Sequence, residues 1–474
     1  MDRLIGREKE KDLLKKYYNS GRPEFVAVYG RRRVGKTFMI RKFFKDNFDF
    51  YATGIIDGNR DDELKAFNSA LAKYGYEGAK AKNWSDAFEY LSELLRTKTL
   101  RKKRCVVFID ELPCFDTQNS GFVKAFDYFW NSSGSWINNI FLIICGSATS
   151  WMIRNVINNR GGLHNRITHE IHLRPFDLCN VEKFCKACKS KWDRLSILQA
   201  YTALGGVPYY WGLLDFERSV ADNIDTLFFS GDGELSREYR RLFSSLFRNP
   251  DGYIDIINLL SENKQGLTRR QIAEQLKIAD NGFLGNRLED LVNCDFIRVY
   301  NNGSGKVNGG IYQVIDFFTL FHRQFCRRNQ SDIHFWRNAL GSSKQNNWYG
   351  LAYERVCMFH INHIIKALHL DSISTEFYSW RSKKSDPAAQ IDIVIDRADG
   401  LITICEVKYS RTKYTLSKSE YEKILNRIDA FSVEHDHLKG VQTVMVTTMG
   451  LKSNTYSEIS QISITLNDLF NTEI

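Results

Sequence analysis

The 474-residue sequence has no apolar run long enough to cross a bilayer, and its amino terminus is polar, without the apolar core of a secretion signal. These two absences predict a cytoplasmic chain with no membrane among its partners. Paired cysteines are scarce as well. The ten cysteines fall singly on mostly apolar segments, which suits buried reduced thiols better than a disulfide framework. The one close pair, Cys185 and Cys188, has no second pair at zinc spacing, and His360 and His363, one helical turn apart near Glu354, have no third ligand set by spacing. Both pairs are therefore read as ordinary buried or solvated side chains. What is present is a globular composition, 43% hydrophobic and 26% charged. The length implies about two to four domains. A formal charge of +10 and a pI near 8.9 favour an anionic partner, with nucleic acid as the first candidate.

The chain is organised around Phe25 to Ile40. An apolar run, Phe25 to Tyr29, leads into Gly30-Arg31-Arg32-Arg33-Val34-Gly35, and Lys36-Thr37 then open a helix. The spacing is G-x-x-x-x-G-K-T, that of a phosphate-binding loop between a strand and a helix. Gly30 and Gly35 allow the backbone of Arg33, Val34 and their neighbours to turn N–H groups inward, and the helix amino terminus adds its positive dipole end. Lys36 would reach the β- and γ-phosphates of ATP, and the Thr37 hydroxyl would take a place on Mg²⁺.

A second marker is Arg104 to Glu111, a buried strand ending in two carboxylates. Open α/β sheets hold ligands at that edge. Asp110 would hold Mg²⁺, and Glu111 would orient and deprotonate the attacking water. The strand Phe141 to Cys145 ends in Gly146-Ser147, where Ser147 is placed to sense the γ-phosphate. Arg160 and Arg166 flank a glycine-rich segment, and either could act as an arginine finger across or within subunits, with Arg166 as the candidate site residue. Strands alternating with helices over this region imply a parallel sheet covered on both faces. Leu173 to Phe176 reads as its end, since Pro175 stops the preceding structure. Helical pattern then continues to about Arg248 and carries Gly205-Gly206-Val207-Pro208, a kink that fits a lid over the nucleotide.

Together, Gly6-Arg7-Glu8, Gly30 to Thr37, Asp110-Glu111, Gly146-Ser147 and Gly206-Val207-Pro208 resemble the archaeal-type ATPases of the STAND/AAA+ group. The resemblance covers roughly the first 250 residues. It implies ATP and Mg²⁺ as cofactors, with Gly6, Arg7 and Pro208 on the nucleotide in addition to the phosphate loop. The lid has no clear second-sensor arginine of the kind ring-forming AAA+ proteins carry, so the assembly state stays open between a homo-oligomer and a protein partner.

Tyr253 to Val314 reads as three helices and a β-hairpin, a winged helix. Its third helix carries Glu289 and Asp290 beside Arg287, which leaves DNA contact and domain relay as alternatives. After Trp348 the order is helix, three strands, helix and strand. The first helix, Trp348 to Ala367, bears Glu354. Gln390 to Asp396 pairs with Leu401 to Lys408, and period-two alternation puts Glu406 and Lys408 on one face with Asp392 opposite. Two carboxylates on Mg²⁺ with a lysine beside them is what phosphodiester hydrolysis needs, and Glu354 would complete the metal shell. This tail resembles the PD-(D/E)XK nuclease superfamily. Asp392, Glu406 and Lys408 match its motif, with Ile391 where the name has proline.

The expected fold is therefore α/β. A P-loop ATPase core spans 1–176, a helical lid 177–248, a winged helix 249–330 and a restriction-endonuclease-like tail 331–474. The expected function is a Mg-dependent ATPase whose state is relayed to a nuclease-like domain acting on DNA. The alternative is a STAND-type ATP-dependent switch or scaffold with a non-cleaving tail.

Overall fold

The computed structural model describes residues 4–99, 103–158, 165–247, 249–300, 310–326, 332–382, 389–435 and 439–471. Arg160 and residues 301–309, where the turn of the expected β-hairpin falls, lie outside the described residues. The chain forms two compact units. The first comprises Met1–Pro175 with Ser245–Arg248 and Glu289–Cys294, and the second comprises Phe176–Ser244, Asn249–Leu288 and Asp295–Ile474.

The first unit is built on five strands: β1 (Glu24–Tyr29), β2 (Phe50–Thr53), β3 (Cys105–Asp110), β4 (Ile140–Gly146) and β5 (His169–His172). They pair in parallel in the order β2-β3-β4-β1-β5. Every residue of β3 and β4 is buried, as expected for strands covered on both sides. Alternation decides which layer each side chain joins. Phe25, Ala27, Val107, Ile109, Leu142 and Ile144 pack under an aromatic-rich layer that includes Phe67, Trp84, Phe88, Phe122 and Phe126. Val26, Val28, Val106, Phe108, Phe141 and Ile143 point the other way, onto Leu14, Met39 and Ile40 of the helices Glu8–Tyr18 and Lys36–Phe43. The carboxyl ends of β1, β3 and β4 thus emerge side by side at one edge of the sheet, and their next residues inherit that position.

The second unit begins with helices, among them Leu178–Ala187 and Arg194–Leu204. It continues with the helices Asp251–Glu262, Arg269–Leu276 and Gly282–Asn293, the last divided between the two units. Thr268 and Gln271 form a reciprocal capping box that starts the second of these. Strands β6 (Leu267–Thr268), β7 (Ile297–Tyr300) and β8 (Ile311–Val314) make an antiparallel sheet in the order β6-β8-β7. The carboxyl-terminal portion holds β9 (Thr375–Arg381), β10 (Gln390–Arg397), β11 (Leu401–Lys408), β12 (Gly440–Thr447) and β13 (Ile462–Thr465) in the order β13-β12-β11-β10-β9. Here β10 runs antiparallel to both neighbours, while β11, β12 and β13 are parallel.

These pieces are tied together by an aromatic seam. Phe321 lies 4.9 Å from Trp336 and 5.6 Å from Trp348, and Phe325 lies 5.0 Å and 5.3 Å from the same two rings. The helix Arg194–Leu204 joins the seam: Trp348 Nε1 donates to Thr202 Oγ1 at 3.3 Å, and Gln199 Nε2 donates to Tyr409 Oη at 2.8 Å.

The helix expected from Trp348 to Ala367 is two helices, Ser343–Phe359 and Ile361–Ala367. It starts early because Ser342 caps it by accepting from Gln345 N–H. It breaks at His360, whose ring is used elsewhere. Nε2 accepts from the Leu178 N–H at 3.0 Å, so Nδ1 carries the proton and donates to Val356 O at 2.8 Å. Burial, then neighbouring His363, lowers the His360 pKa to about 4 and keeps this ring neutral.

Candidate functional site

The loop after β1 has three backbone positions at positive φ: Gly30 at 144°, Arg33 at 71° and Gly35 at 90°. At Gly30 the reason is contact, since a Cβ there would stand 2.2 Å from the Leu173 carbonyl oxygen. Gly35 supplies the left-handed turn that starts the helix Lys36–Phe43. The Lys36 side chain is buried, and its ammonium donates to the carbonyls of Gly30 at 2.8 Å and Arg31 at 3.0 Å, so it lies over the loop. Arg7, itself in a left-handed conformation after Gly6, donates from Nη2 to Val34 O at 3.1 Å. The amino-terminal segment is thereby fastened to the back of the loop.

The second and third strands complete the cluster. Thr37 Oγ1 donates to Asp110 Oδ1 at 3.1 Å, and the Glu111 N–H donates to the same oxygen at 3.0 Å. Burial, reinforced by the Glu111 charge, raises the Asp110 pKa. Glu111 occupies a left-handed conformation with φ of 45°, an unfavourable state for a residue with a side chain. Its Oε2 accepts from the Ser147 N–H at 3.1 Å and from Ser147 Oγ at 2.8 Å. Thr37, Asp110 and Glu111 offer only oxygen donors, a donor chemistry that fits Mg²⁺.

Arg166 is exposed on the turn before β5. Pro208 belongs to the second unit, where it opens the short helix Pro208–Trp211.

The second carboxylate group lies on β10, β11 and the helix Ser343–Phe359. The register pairs Ile393 with Cys405, which sets Asp392 beside Glu406, and β10 has a register shift against β9 between Ile391 and Val394. The Val407 N–H donates to Asp392 Oδ2 at 3.0 Å. Burial first, and the Glu406 charge second, push Asp392 up to about 6. Burial and the Asp392 charge push Glu354 up to about 8. Glu406 is engaged by cations: Lys408 Nζ donates to Oε1, and Arg427 Nη1 donates to Oε1 at 2.6 Å and Oε2 at 2.7 Å. Burial works to lower the Lys408 and Arg427 pKa values, but Glu406 outweighs it and both are raised. Among the described residues no three His, Cys, Asp or Glu side chains form a group able to hold a metal ion. With Arg427 on Glu406, this arrangement does not fit a bound Mg²⁺.

Residues 4–214 match a family described as an ATPase domain predominantly from Archaea. This region of the chain is similar to an archaeal-type ATPase domain. Among similar proteins, an uncharacterized protein of Methanocaldococcus jannaschii is 25% identical over 371 residues, covering 74% of this chain and 76% of the relative. An uncharacterized ATP-binding protein of the same organism is 38% identical over 43 residues, 9% of this chain and 73% of that one. Among solved structures, the Walker-type ATPase of Pyrococcus abyssi superposes with a TM-score of 0.47 at 18% identity, over 68% of this chain and 96% of that one. The matched region, residues 4–214, contains Gly30 to Thr37, Asp110, Glu111 and Ser147.

Two contacts at these sites have no counterpart in the motif reading. Arg427 comes from the helix Lys418–His435 and reaches Glu406 only through packing. The Ser147 contact to Glu111 joins strands that are distant in sequence, and only the polar residue after β4 hinted at it.

Proposed function

We propose that the protein binds ATP with Mg²⁺ and hydrolyses it in the first unit. The observation that carries this reading is the convergence of Lys36, Thr37, Asp110, Glu111 and Ser147 at one edge of the parallel sheet. Lys36 would bind the β- and γ-phosphates, and Gly30 to Gly35 would supply N–H groups around them. Thr37 and Asp110 would hold the Mg²⁺, which when bound neutralises charge on the phosphate oxygens. Glu111 would orient the attacking water and accept its proton, while Ser147 fixes the carboxylate. Gly6 and Arg7 would border the nucleotide on the side away from the phosphates, and Arg166 would serve as an arginine finger within or between subunits. Calorimetry with ATP and Mg²⁺ tests the reading. Lys36→Ala should lose binding, and Glu111→Gln should bind without turnover. Parent-like binding by Lys36→Ala would defeat it.

For the second unit, the three helices with the sheet β6-β8-β7 support a winged helix. The sharing of one sheet edge by Asp392, Glu406 and Lys408 supports a nuclease-like tail acting on DNA. A second reading is favoured by the contact of Arg427 with both oxygens of Glu406. In it the tail does not cleave, and ATP drives a regulatory switch or scaffold. Incubation with plasmid, Mg²⁺ and ATP beside a Lys408→Ala control separates them: cleavage by the parent alone supports the nuclease, and intact plasmid in both supports the switch.

A further inference from the structure

The pairing of β11 with β12 ends at Lys408 and Thr447, but the two segments beyond it stay side by side. The Thr448 N–H donates to Lys408 O at 3.3 Å, and the Ser410 N–H donates to Thr448 Oγ1 at 2.8 Å. Farther on, Tyr414 and Leu451 form a parallel bridge. There the Tyr414 N–H donates to Gly450 O and the Lys452 N–H to Tyr414 O, both at 2.8 Å. Asn454 Nδ2 then donates to Leu416 O at 2.9 Å. Between the sheet and the bridge the first segment has more residues than the second, so it bends at Arg411 and Thr412, both exposed. The result is a strip pinned at both ends, directly beyond the strand that carries Glu406 and Lys408.

The strip is basic and holds no acid. From Val407 to Ser419 and from Val446 to Ser457 the charged residues are Lys408, Arg411, Lys413, Lys418 and Lys452, with neither Asp nor Glu. Two of these cations have acidic partners, Lys408 on Glu406 and Lys418 at 3.9 Å from Glu422. Arg411, Lys413 and Lys452 are exposed, and among the described residues none of the three has a carboxylate within ion-pair distance. Arg411 Nη2 donates to Gln345 Oε1 at 3.3 Å and the same side chain meets the Tyr409 hydroxyl, so its partners are neutral. Acids that border the strip are held elsewhere or solvated. Glu420 accepts from the Tyr414 hydroxyl and, at 2.8 Å, from Ser417 Oγ. Asp193, facing Tyr409, caps the helix Arg194–Leu204 by accepting from the Ser196 N–H at 2.8 Å. Glu458, just past the second segment, is exposed.

We propose that Arg411, Lys413 and Lys452 bind the phosphodiester backbone of a nucleic-acid strand and lead it toward Asp392, Glu406 and Lys408. Cations set along an extended strip, rather than gathered in a pocket, match a ligand of repeating negative charge. Thr412, Thr415 and Ser453 add exposed hydroxyls, which serve as neutral donors to phosphate oxygens. Arg411 lies three residues past Lys408, at most about 11 Å of extended chain, so a strand on the strip passes close to the carboxylates. The inference rests on the reading of the tail as acting on DNA, but it does not require cleavage.

The test follows fluorescence anisotropy of labelled probes with the full chain over a series of KCl concentrations. The probes are duplex DNA, single-stranded DNA and, as a polyanion of another kind, poly-glutamate. The parent is compared with a triple variant, Arg411→Gln, Lys413→Gln and Lys452→Gln, and with Arg287→Gln on the third helix of the expected winged helix. The triple variant should bind one or both DNA probes tenfold or more weakly while its thermal melt stays cooperative. The slope of log affinity against log salt should also fall by about 2–3, as the loss of three phosphate contacts requires. DNA binding that the triple variant leaves unchanged overturns this proposal alone, and a loss confined to Arg287→Gln moves the contact to the winged helix. Absence of DNA binding by the parent overturns the DNA reading together with it. Poly-glutamate binding as tight as that of DNA, with the same loss in the triple variant, overturns the nucleic-acid assignment and makes the strip a site for an acidic protein.

Discussion

Ser147→Ala isolates one contact on Glu111, the proposed general base. Glu111 Oε2 receives two hydrogen bonds from Ser147, the backbone N–H at 3.1 Å and the hydroxyl at 2.8 Å, and the substitution removes only the second. A hydrogen bond to a charged group contributes roughly 1.5–3 kcal/mol when desolvated. The pair is only partly buried, so the lower end applies, about 1.5 kcal/mol or roughly tenfold in rate. Because Ser147 touches the carboxylate and not the loop around Lys36, the loss should fall on kcat and leave KM within about twofold. Steady-state phosphate release at saturating ATP and Mg²⁺ reads both constants. An unchanged kcat would mean the hydroxyl does not position Glu111. A faster kcat would mean that it holds the carboxylate away from the water, which refutes the assigned role.

Two loop glycines should respond differently. Gly30→Ala drives a Cβ to 2.2 Å from Leu173 O and should abolish nucleotide binding with a loss of about 3 kcal/mol or more in urea unfolding. Gly35→Ala meets nothing within 4 Å and carries only the strain of positive φ, about 1–2 kcal/mol. Equal effects would show that the Leu173 contact is unimportant. Arg427→Leu leaves Glu406 with Lys408 alone and should cost roughly 1–3 kcal/mol, while making thermal stability newly responsive to Mg²⁺. A variant as stable as the parent, and still indifferent to Mg²⁺, would contradict the role given to that arginine. Glu354 and Asp392 titrate at about 8 and about 6, above the range of about 4 for unfolded acids. The folded state therefore holds more protons through that window, and without divalent cation its stability should fall as pH rises from about 4 to about 8. Glu354→Gln should flatten the upper part of that slope in chelator-treated samples, and an unaltered slope would place the proton elsewhere.

Four of the five strands of the parallel sheet could be read from the chain because they are short, largely apolar and mostly followed directly by the residues that matter, whereas β5, His169-Glu170-Ile171-His172, has no apolar run to mark it. Gly30, Asp110 and Ser147 each come within a residue or two of a strand end, so locating the strand locates the group. The cross-strand placement of Asp392 and Glu406 was legible for the same reason, through alternation. Arg427 was not, because nothing local to the helix Lys418–His435 says that one of its basic side chains turns inward to a carboxylate. The break at His360 was hidden too. Helical periodicity continues through it, and the interruption comes from a ring engaged by the Leu178 N–H, far away in sequence.

The aromatic seam has a practical consequence for anyone wishing to dissect this molecule. Severing the chain near residue 330 to obtain a free-standing tail would strip Trp336 and Trp348 of Phe321 and Phe325, and would also remove the helix that hydrogen-bonds Trp348 and Tyr409. Both fragments would present bare rings to water and tend to clump. Apart from Ser245–Arg248 and Glu289–Cys294, the portion from Phe176 onward is better treated as one casting, and point substitutions are the sounder tool within it.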